Sequence, residues 1–240
     1  MLYLIGLGLN EKSLSKEAIA VIKRCKRVYL ENYTVDFPYT HQQLEDEIGK
    51  KFVSANREKV ENLEIVDEAK KMDVALLVYG SPLTATTHIT LIEEAILSGV
   101  KYKVFHNASV LDAIAETGFQ LYKFGKITSM PAWKKSYEPE SFMEIIKENQ
   151  SIKAHTLLLI DIGLDIKTAI EQLEKAARNH DVKLYKIVIC QAMGTKKQKI
   201  LYKTIADARE FTGVQKPYCI IIPGELHFVE KEFLANFDKD

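Results

Sequence analysis

Short apolar runs alternate with longer amphipathic stretches along the first half of the chain. The apolar runs predict strands over residues 2–5, 28–30, 74–79 and 102–105. Apolar positions at helical spacing predict helices over residues 13–25 and 86–97, and another that begins near Ser109. Ser13 or Ser15 can cap the first of these helices. Regular alternation of strand and helix is typical of a parallel sheet covered by helices.

The second half of the chain has a different pattern. It predicts strands over residues 127–130, 156–160, 184–192, 200–203 and 218–222, and helices over residues 139–149 and 168–178. The two strands that flank residues 194–197 are close enough in sequence to form a hairpin, which indicates a mixed sheet. We therefore predict two α/β domains. The N-terminal domain covers residues 1–117 with a mostly parallel sheet, and the C-terminal domain covers residues 118–240 with a mixed sheet.

Composition narrows the class of protein without identifying it. Of the 240 residues 47% are hydrophobic, and 33 basic residues balance 33 acidic ones, so no overall field attracts nucleic acid or an anionic membrane. The three cysteines lack a CxxC pairing, which argues against a disulfide framework and a structural zinc site. No apolar run approaches the roughly 20 residues of a membrane helix, and no secretory signal is visible. These features predict a cytoplasmic protein without direct contact to nucleic acid or membrane.

Four loops follow the carboxyl ends of predicted strands, where open α/β sheets build ligand sites. They are Gly6-Leu7-Gly8-Leu9, Gly80-Ser81-Pro82-Leu83-Thr84, His106-Asn107-Ala108-Ser109 and Pro223-Gly224-Glu225-Leu226-His227. The first two glycines permit a close approach to a ligand, and a plain strand-to-helix turn explains them equally well. A dinucleotide fingerprint requires a third glycine where Glu11 stands. Glu31, at the end of the second strand, could bind a ribose, so a nicotinamide enzyme remains an alternative.

Hydroxyl side chains are frequent in two of these loops. Thr84, Thr86 and Thr87 follow Ser81, and this cluster is larger than capping of the next helix requires. Ser109 either caps the helix that follows it or binds a ligand. The sequence alone leaves both interpretations open.

Histidines and lysines offer weaker signals. The six histidines show no metal-binding spacing, so no metal site is predicted. His227 is the best functional candidate among them because it follows a strand and a Pro-Gly turn. The basic tracts at residues 134–135 and 196–199 are interpreted as solvated loops, with docking of an acidic partner surface as the alternative.

Several segments, spread over nearly the whole chain, resemble one known family. They are residues 1–9, 30–34, 85–88, 106–110, 118–125, 139–142, 155–162 and 222–227. The stretches Asn107-Ala108-Ser109 and Gly118-Phe119-Gln120-Leu121-Tyr122-Lys123-Phe124-Gly125 are the most specific. Together these segments resemble the diphthine synthase family, a member of the tetrapyrrole methylase superfamily.

The resemblance implies a fold, a reaction and a partner. The fold has two α/β domains with a cofactor cleft between them, and the subunits form a homodimer. The reaction transfers methyl groups from S-adenosylmethionine to the amine of a modified histidine in elongation factor 2, a diphthamide precursor, and leaves S-adenosylhomocysteine. Matched by position, the family's cofactor contacts are Leu9, Ser81, Thr84, Ser109, Val110, Ile160, Tyr202 and His227. His227 is also the candidate that could accept a proton from the amine.

Two positions depart from the family pattern. Ser81 stands where the family usually has an aspartate, which removes a carboxylate that could bond the cofactor. Glu138 stands where the family usually has a basic residue, which bears on partner docking. Two further alternatives are therefore kept. One is a relative that methylates a small tetrapyrrole, and the other is a binding protein that retains the fold without turnover.

Overall fold

The chain forms two compact units. The computed structural model describes residues 1–238. The first unit is Met1–Asp112 and the second begins at Ala113. The sequence-based boundary after residue 117 lies later than this division by residues 113–117, which include the short 3-10 helix Ile114–Thr117, and it remains a prediction.

The first unit is built around a five-stranded parallel sheet. Its strands are β1 (Leu2–Gly6), β2 (Arg27–Glu31), β3 (Val53–Ala55), β4 (Val74–Val78) and β5 (Tyr102–Phe105), in the order β3-β2-β4-β1-β5. Its helices are α1 (Lys16–Arg24), α2 (His41–Ile48), α3 (Arg57–Glu61), α4 (Glu64–Ala69), α5 (Ile89–Leu97) and the short α6 (Val110–Ala113). Since all the pairings are parallel, every strand ends at the same edge of the sheet.

The central strands of this sheet are covered on both faces. Every residue of β1 and β4 is buried, as continuous apolar runs in parallel sheets require. Leu4 packs with α4 and α5 on one face, whereas Ile5 packs with α1 and α2 on the other. Ser15, one of the two predicted caps, accepts the N–H of Ala18 at the start of α1.

The second unit contains a mixed five-stranded sheet. Its strands are β6 (Thr128–Met130), β7 (Thr156–Ile160), β8 (Lys186–Gln191), β9 (Lys199–Thr204) and β10 (Tyr218–Ile222), in the order β6-β7-β10-β8-β9. Its helices are α7 (Ser141–Ser151), α8 (Ile166–Asn179), α9 (Ile205–Glu210) and α10 (Phe228–Leu234). Only β6 and β7 pair in parallel. The predicted hairpin is confirmed, because β8 and β9 pair antiparallel.

The sequence pattern missed several short elements. These are α2, β3, α3 and α4 between residues 41 and 69, together with α9 and α10. The longest of them, α2, has 8 residues, so an apolar period is repeated too few times to stand out in the pattern. Strand β3 has only three residues, with Val53 and Ser54 exposed. Within residues 1–238, no helix has both the length and the apolar character needed to cross a membrane.

Candidate active site

Three of the four predicted loops meet at the carboxyl edge of the first sheet. The loops after β1 and β4 are joined directly, because the N–H of Gly8 donates to the carbonyl of Gly80 over 3.1 Å and the N–H of Gly80 donates back over 3.0 Å. The loop after β5 lies against them: a methyl group at Gly80 would be 3.6 Å from the Cα of Ser109. The edge of the sheet thus brings Leu9, Ser81 and Ser109 together. We call the three loops that contain them, residues 6–9, 80–84 and 106–109, the donor loops.

The glycines of the first loop are explained by contacts within the protein. A Cβ at Gly6 would lie 2.7 Å from the carbonyl oxygen of Gly80. Gly8 has a φ of +70°, and a Cβ there would lie 2.4 Å from the Cβ of Ser13. Side chains are therefore excluded at both positions by the neighbouring segments, whether or not a ligand approaches.

Leu9 is held by a residue that the sequence did not single out. The hydroxyl of Tyr79 donates to the Leu9 carbonyl over 3.0 Å, and burial raises the pKa of Tyr79. Tyr79 follows β4 directly, so the strand end itself fixes the position of the first loop. A tyrosine at the end of an apolar run carries no signal for this contact, because its partner is a main-chain atom 70 residues away in sequence.

The hydroxyl cluster divides into two groups. The Thr86 hydroxyl donates to the Pro82 carbonyl over 2.9 Å, and the buried His88 places its Nδ1 3.0 Å from the same oxygen. These contacts shape the turn, and α5 begins without a side-chain cap. The hydroxyls of Ser81 and Thr84, by contrast, have no hydrogen-bond partner among residues 1–238. Both remain available to a ligand.

Ser109 is used as a helix cap. Its hydroxyl accepts the N–H of Leu111 over 3.1 Å, and its own N–H donates to the carboxylate of Asp112 over 2.7 Å. Its carbonyl accepts the N–H of Asp112. The capping interpretation of Ser109 therefore accounts for its polar groups. Of the two neighbours, Val110, half-buried at the start of α6, is the more available for contact with a ligand.

Glu31 is buried in the turn that follows β2. Its carboxylate accepts the N–H of Tyr33 over 2.9 Å and the hydroxyl of Thr34 over 2.6 Å. The side chain is fully buried, so it closes its own turn and is not presented as a ribose ligand would be.

The structure separates Ile160 from the other two site residues predicted in the second unit, Tyr202 and His227. Ile160 ends β7, and His227 follows β10. Because β7 and β10 are antiparallel, with Leu159 opposite Cys219 and Thr156 opposite Ile222, Ile160 and His227 lie at opposite ends of the sheet. Tyr202, on the edge strand β9, lines a groove of about 840 Å³ that does not include His227.

His227 has a local structural role. It caps α10, since its Nδ1 accepts the N–H of Val229 over 3.4 Å, and its own N–H donates to the Glu230 carboxylate over 2.7 Å. Its ring packs against that of Phe228, with the centroids 4.3 Å apart and the planes tilted by 40°. The ring is exposed and lines a groove of about 610 Å³ together with Tyr122.

The end of the second sheet that contains Ile160 has features that the sequence did not reveal. Ala192 follows β8 with a φ of +43°, which is strained for a residue with a side chain. Its N–H donates to the carbonyl of Pro217 over 2.8 Å. Tyr218 pairs with Gln191, and its hydroxyl donates to the Leu164 carbonyl over 3.2 Å. Strain of this kind is found at functional sites, and no motif in the sequence marks it.

A buried ionic network was also missed. Glu230 is fully buried and accepts the Lys123 ammonium over 2.6 Å and the N–H of Gln120 over 3.0 Å. Burial opposes ionisation, but these donors, with the N–H of His227 and the ring of His155, lower the pKa of Glu230 to about 2. Lys123 and His155 both lie in segments that carry the family resemblance. That resemblance was the only feature of the sequence that pointed to these two residues.

The protonation of His155 follows from its partners. The N–H of Gly224 donates to its Nδ1 over 2.9 Å, so the ring proton of the neutral form sits on Nε2, which lies 3.2 Å from Glu230. Burial lowers the pKa of His155. The network thus joins the segment before β7 to the start of α10.

The fold and these loops define the class of protein. The model of the family of tetrapyrrole (corrin/porphyrin) methylases matches residues 1–209. The chain belongs to this family, and it is therefore a methyltransferase.

Relatives identify the group within the family that this chain resembles. It is 36% identical to a diphthine synthase of Methanococcus aeolicus, over 98% of this chain and 96% of that protein. It is 34% identical to a diphthine methyl ester synthase of Mus musculus, over 99% of this chain and 96% of that protein. A crystal structure of a diphthine synthase shares the fold with a TM-score of 0.88 and 29% identity, covering 99% of this chain and 96% of that one.

Proposed function

We propose that the protein transfers methyl groups from S-adenosylmethionine to the amine of the modified histidine of elongation factor 2. The observation that carries the proposal is the end-to-end match to diphthine synthases, which covers both units. The family also contains methylases of small tetrapyrroles. The specific stretches at residues 107–109 and 118–125 favour the protein acceptor over that alternative.

The donor loops fit S-adenosylmethionine in the first unit. Ser81 and Thr84 offer hydroxyls without protein partners beside a turn that is fixed by Gly8 and Gly80. Leu9 and Val110 supply the neighbouring main chain, with Ser109 between the loops as a cap. Groups of this kind can bond the polar parts of a nucleoside and an amino acid.

In the second unit we favour Ile160 as the cofactor contact. Ile160 shares its end of the sheet with the strained Ala192, whereas Tyr202 and His227 lie towards the other end. Tyr202 and His227 remain predictions from the resemblance. We assign no proton acceptor among the described residues beyond the candidate His227.

The protein contributes mainly geometry to this reaction. When bound, S-adenosylmethionine supplies a methyl group on a positively charged sulfur, already activated for displacement by an amine. The donor loops bind and orient it. Main-chain hydrogen bonds between Gly8 and Gly80 hold two of these loops together, so the loops need little reorganisation when the cofactor binds. A protonated amine must lose its proton before each transfer, and solvent can accept that proton. His227 stays a prediction from the sequence for this role, and it lies at the opposite end of the second sheet from Ile160.

Calorimetry tests the choice of donor. Titration with S-adenosylhomocysteine should show saturable binding, and NAD at the same concentrations should show none. Saturable NAD binding without binding of S-adenosylhomocysteine would restore the nicotinamide alternative and overturn the proposal.

Restoring a carboxylate at position 81 tests the donor loop directly. Hydrogen bonds that involve a charged group contribute about 1.5–3 kcal/mol, against about 1 kcal/mol for neutral ones. Ser81→Asp should therefore tighten S-adenosylmethionine binding by up to about tenfold. The dissociation constants of both proteins are compared at one salt concentration. An unchanged constant would show that Ser81 does not face the ligand, and a weakened one would point to repulsion by a carboxylate already present.

We also propose that the protein is a cytoplasmic homodimer, as the resemblance implies. Light scattering at micromolar concentration should give twice the chain mass of 27.3 kDa. A mass equal to that of one chain would contradict the homodimer. Localisation of a tagged copy outside the cytoplasm would contradict the other part.

A further inference from the structure

Asn107 lies in the loop after β5. Its side chain forms hydrogen bonds with main-chain groups at the start and the end of the loop after β1, and with the next residue of its own loop. We propose that Asn107 is a positioning residue, which holds the loop after β1 against the loop after β5 at the separation that donor binding requires. This inference rests on the proposed function, since it concerns the same site. Asn107 itself need not touch the donor.

Three hydrogen bonds fix the side chain of Asn107. Its amide nitrogen donates to the carbonyl of Gly6 over 3.1 Å and to the carbonyl of Ser13 over 2.9 Å. Its amide oxygen accepts the N–H of Ala108 over 2.9 Å. Since both partners of the nitrogen are carbonyls, only one orientation of the amide satisfies all three contacts. An asparagine is therefore required here, because aspartate cannot donate and alanine can do neither.

The two glycines of the first loop make room for this side chain. A Cβ at Gly6 would lie 3.1 Å from the Cβ of Asn107, and a Cβ at Gly8 would lie 3.0 Å from its amide oxygen. The Gly-x-Gly spacing thus accommodates Asn107, as well as Gly80 and Ser13. The two glycines and Asn107 therefore depend on one another for their packing.

The packing of Asn107 against Gly6 and Gly8 fixes the segments that contain two residues of the proposed cofactor site, Leu9 and Val110. Leu9 lies in sequence between Gly6 and Ser13, the two residues whose carbonyls Asn107 binds. Val110 comes two residues after Ala108, whose N–H is held by the Asn107 oxygen. Loss of the side chain would therefore loosen the loop after β1 from the loop after β5, although the Gly8–Gly80 pair and the Tyr79 bond to Leu9 would remain.

The test compares donor binding with stability. Asn107→Asp keeps the shape of the side chain and removes both donated hydrogen bonds. We expect the dissociation constant for S-adenosylhomocysteine to rise at least about tenfold, which corresponds to about 1.4 kcal/mol. The KM for S-adenosylmethionine should rise while kcat at saturating donor is retained, since the lost interaction is uniform binding. Asn107→Ala, which introduces no charge, should weaken binding in the same direction.

Asn149 in the second unit provides the matched control. Its amide nitrogen donates to the Lys126 carbonyl over 2.8 Å and to the Thr156 hydroxyl over 2.9 Å, and its oxygen accepts the N–H of Lys126 over 3.0 Å. Asn149→Asp removes the same kind of network outside the donor loops. It should lower the melting temperature and leave the dissociation constant unchanged.

The outcomes distinguish a failure of this inference from a failure of the proposed function. Weaker binding in the Asn107 variants alone supports the inference. Unchanged binding in both Asn107 variants, or equal weakening in Asn149→Asp, overturns it, because the effect would then be absent or a general result of lost stability. If the unaltered protein does not bind S-adenosylhomocysteine, the proposed function fails and this inference fails with it.

Discussion

Replacing Glu230 with glutamine is expected to lower the free energy of unfolding by on the order of 3 kcal/mol, because breaking a buried ion pair leaves the remaining charge unpaired. Glu230 is fully buried and is the shared acceptor for Lys123, His155 and two main-chain N–H groups. Glutamine keeps the shape but turns one acceptor oxygen into a donor that faces other donors. Urea unfolding at neutral pH measures the change.

Glu225 is the matched control for Glu230. Its carboxylate pairs with Lys153, but both side chains are more than half exposed, at 63% and 71%. Exposed pairs contribute about 0–1 kcal/mol, so Glu225→Gln should change stability little. Equal losses in the two variants would show that burial does not set the strength of the Glu230 network.

The Glu230 network also predicts how stability depends on pH. The pKa of Glu230 is about 2 in the folded protein, below its ordinary 4.5. A lowered carboxylate pKa stabilises the fold above pH 4.5, and this contribution is lost as the pH falls towards 2. The stability difference between the unaltered protein and Glu230→Gln should therefore shrink on acidification below pH 4.5. A constant difference down to the acid-unfolding range would contradict the assignment.

Replacing Gly8 with alanine is expected to weaken S-adenosylhomocysteine binding at least about tenfold, or about 1.4 kcal/mol. Two effects combine at this position. An alanine pays about 1–2 kcal/mol for the left-handed backbone at φ +70°. Its Cβ would also lie 2.4 Å from that of Ser13, so the loop that carries Leu9 must shift.

Gly99 separates these two effects. It has a similar φ of +68°, but a Cβ there would meet nothing within 4 Å. Gly99→Ala should therefore lower stability through the backbone alone and leave donor affinity unchanged, as measured by calorimetry and thermal unfolding. If the two variants bind the donor equally well, steric displacement of the first loop does not matter for binding.

The pattern of apolar residues predicted the strands of both sheets. It did not predict at which end of the second sheet each site residue lies. Strands such as 156–160 and 218–222 were located from their composition, and the parallel first sheet placed three strand-end loops together as expected. In the second unit the same reasoning fails, because neighbouring antiparallel strands end at opposite edges. Ile160 is the last residue of its strand and His227 follows another strand, yet the two are separated by the length of the sheet.

Contacts between distant segments were also beyond the sequence. Asn107 was visible as part of a specific motif, but its bonds to Gly6 and Ser13 join segments about 100 residues apart. Glu230 lies in α10, a short helix that the sequence pattern did not predict, and its partner Lys123 is 107 residues earlier in the sequence. Such pairs depend on tertiary packing, which periodicity along the chain does not encode.

Methyl transfer to the proposed acceptor can be measured directly. The protein is incubated with S-adenosylmethionine labelled in its methyl group and with elongation factor 2 that carries the carboxyaminopropyl-histidine intermediate. We predict label in the elongation factor at the modified histidine, and none in elongation factor 2 with an unmodified histidine. Binding of S-adenosylmethionine without any transfer, or transfer to a small tetrapyrrole in place of the protein, would contradict the account.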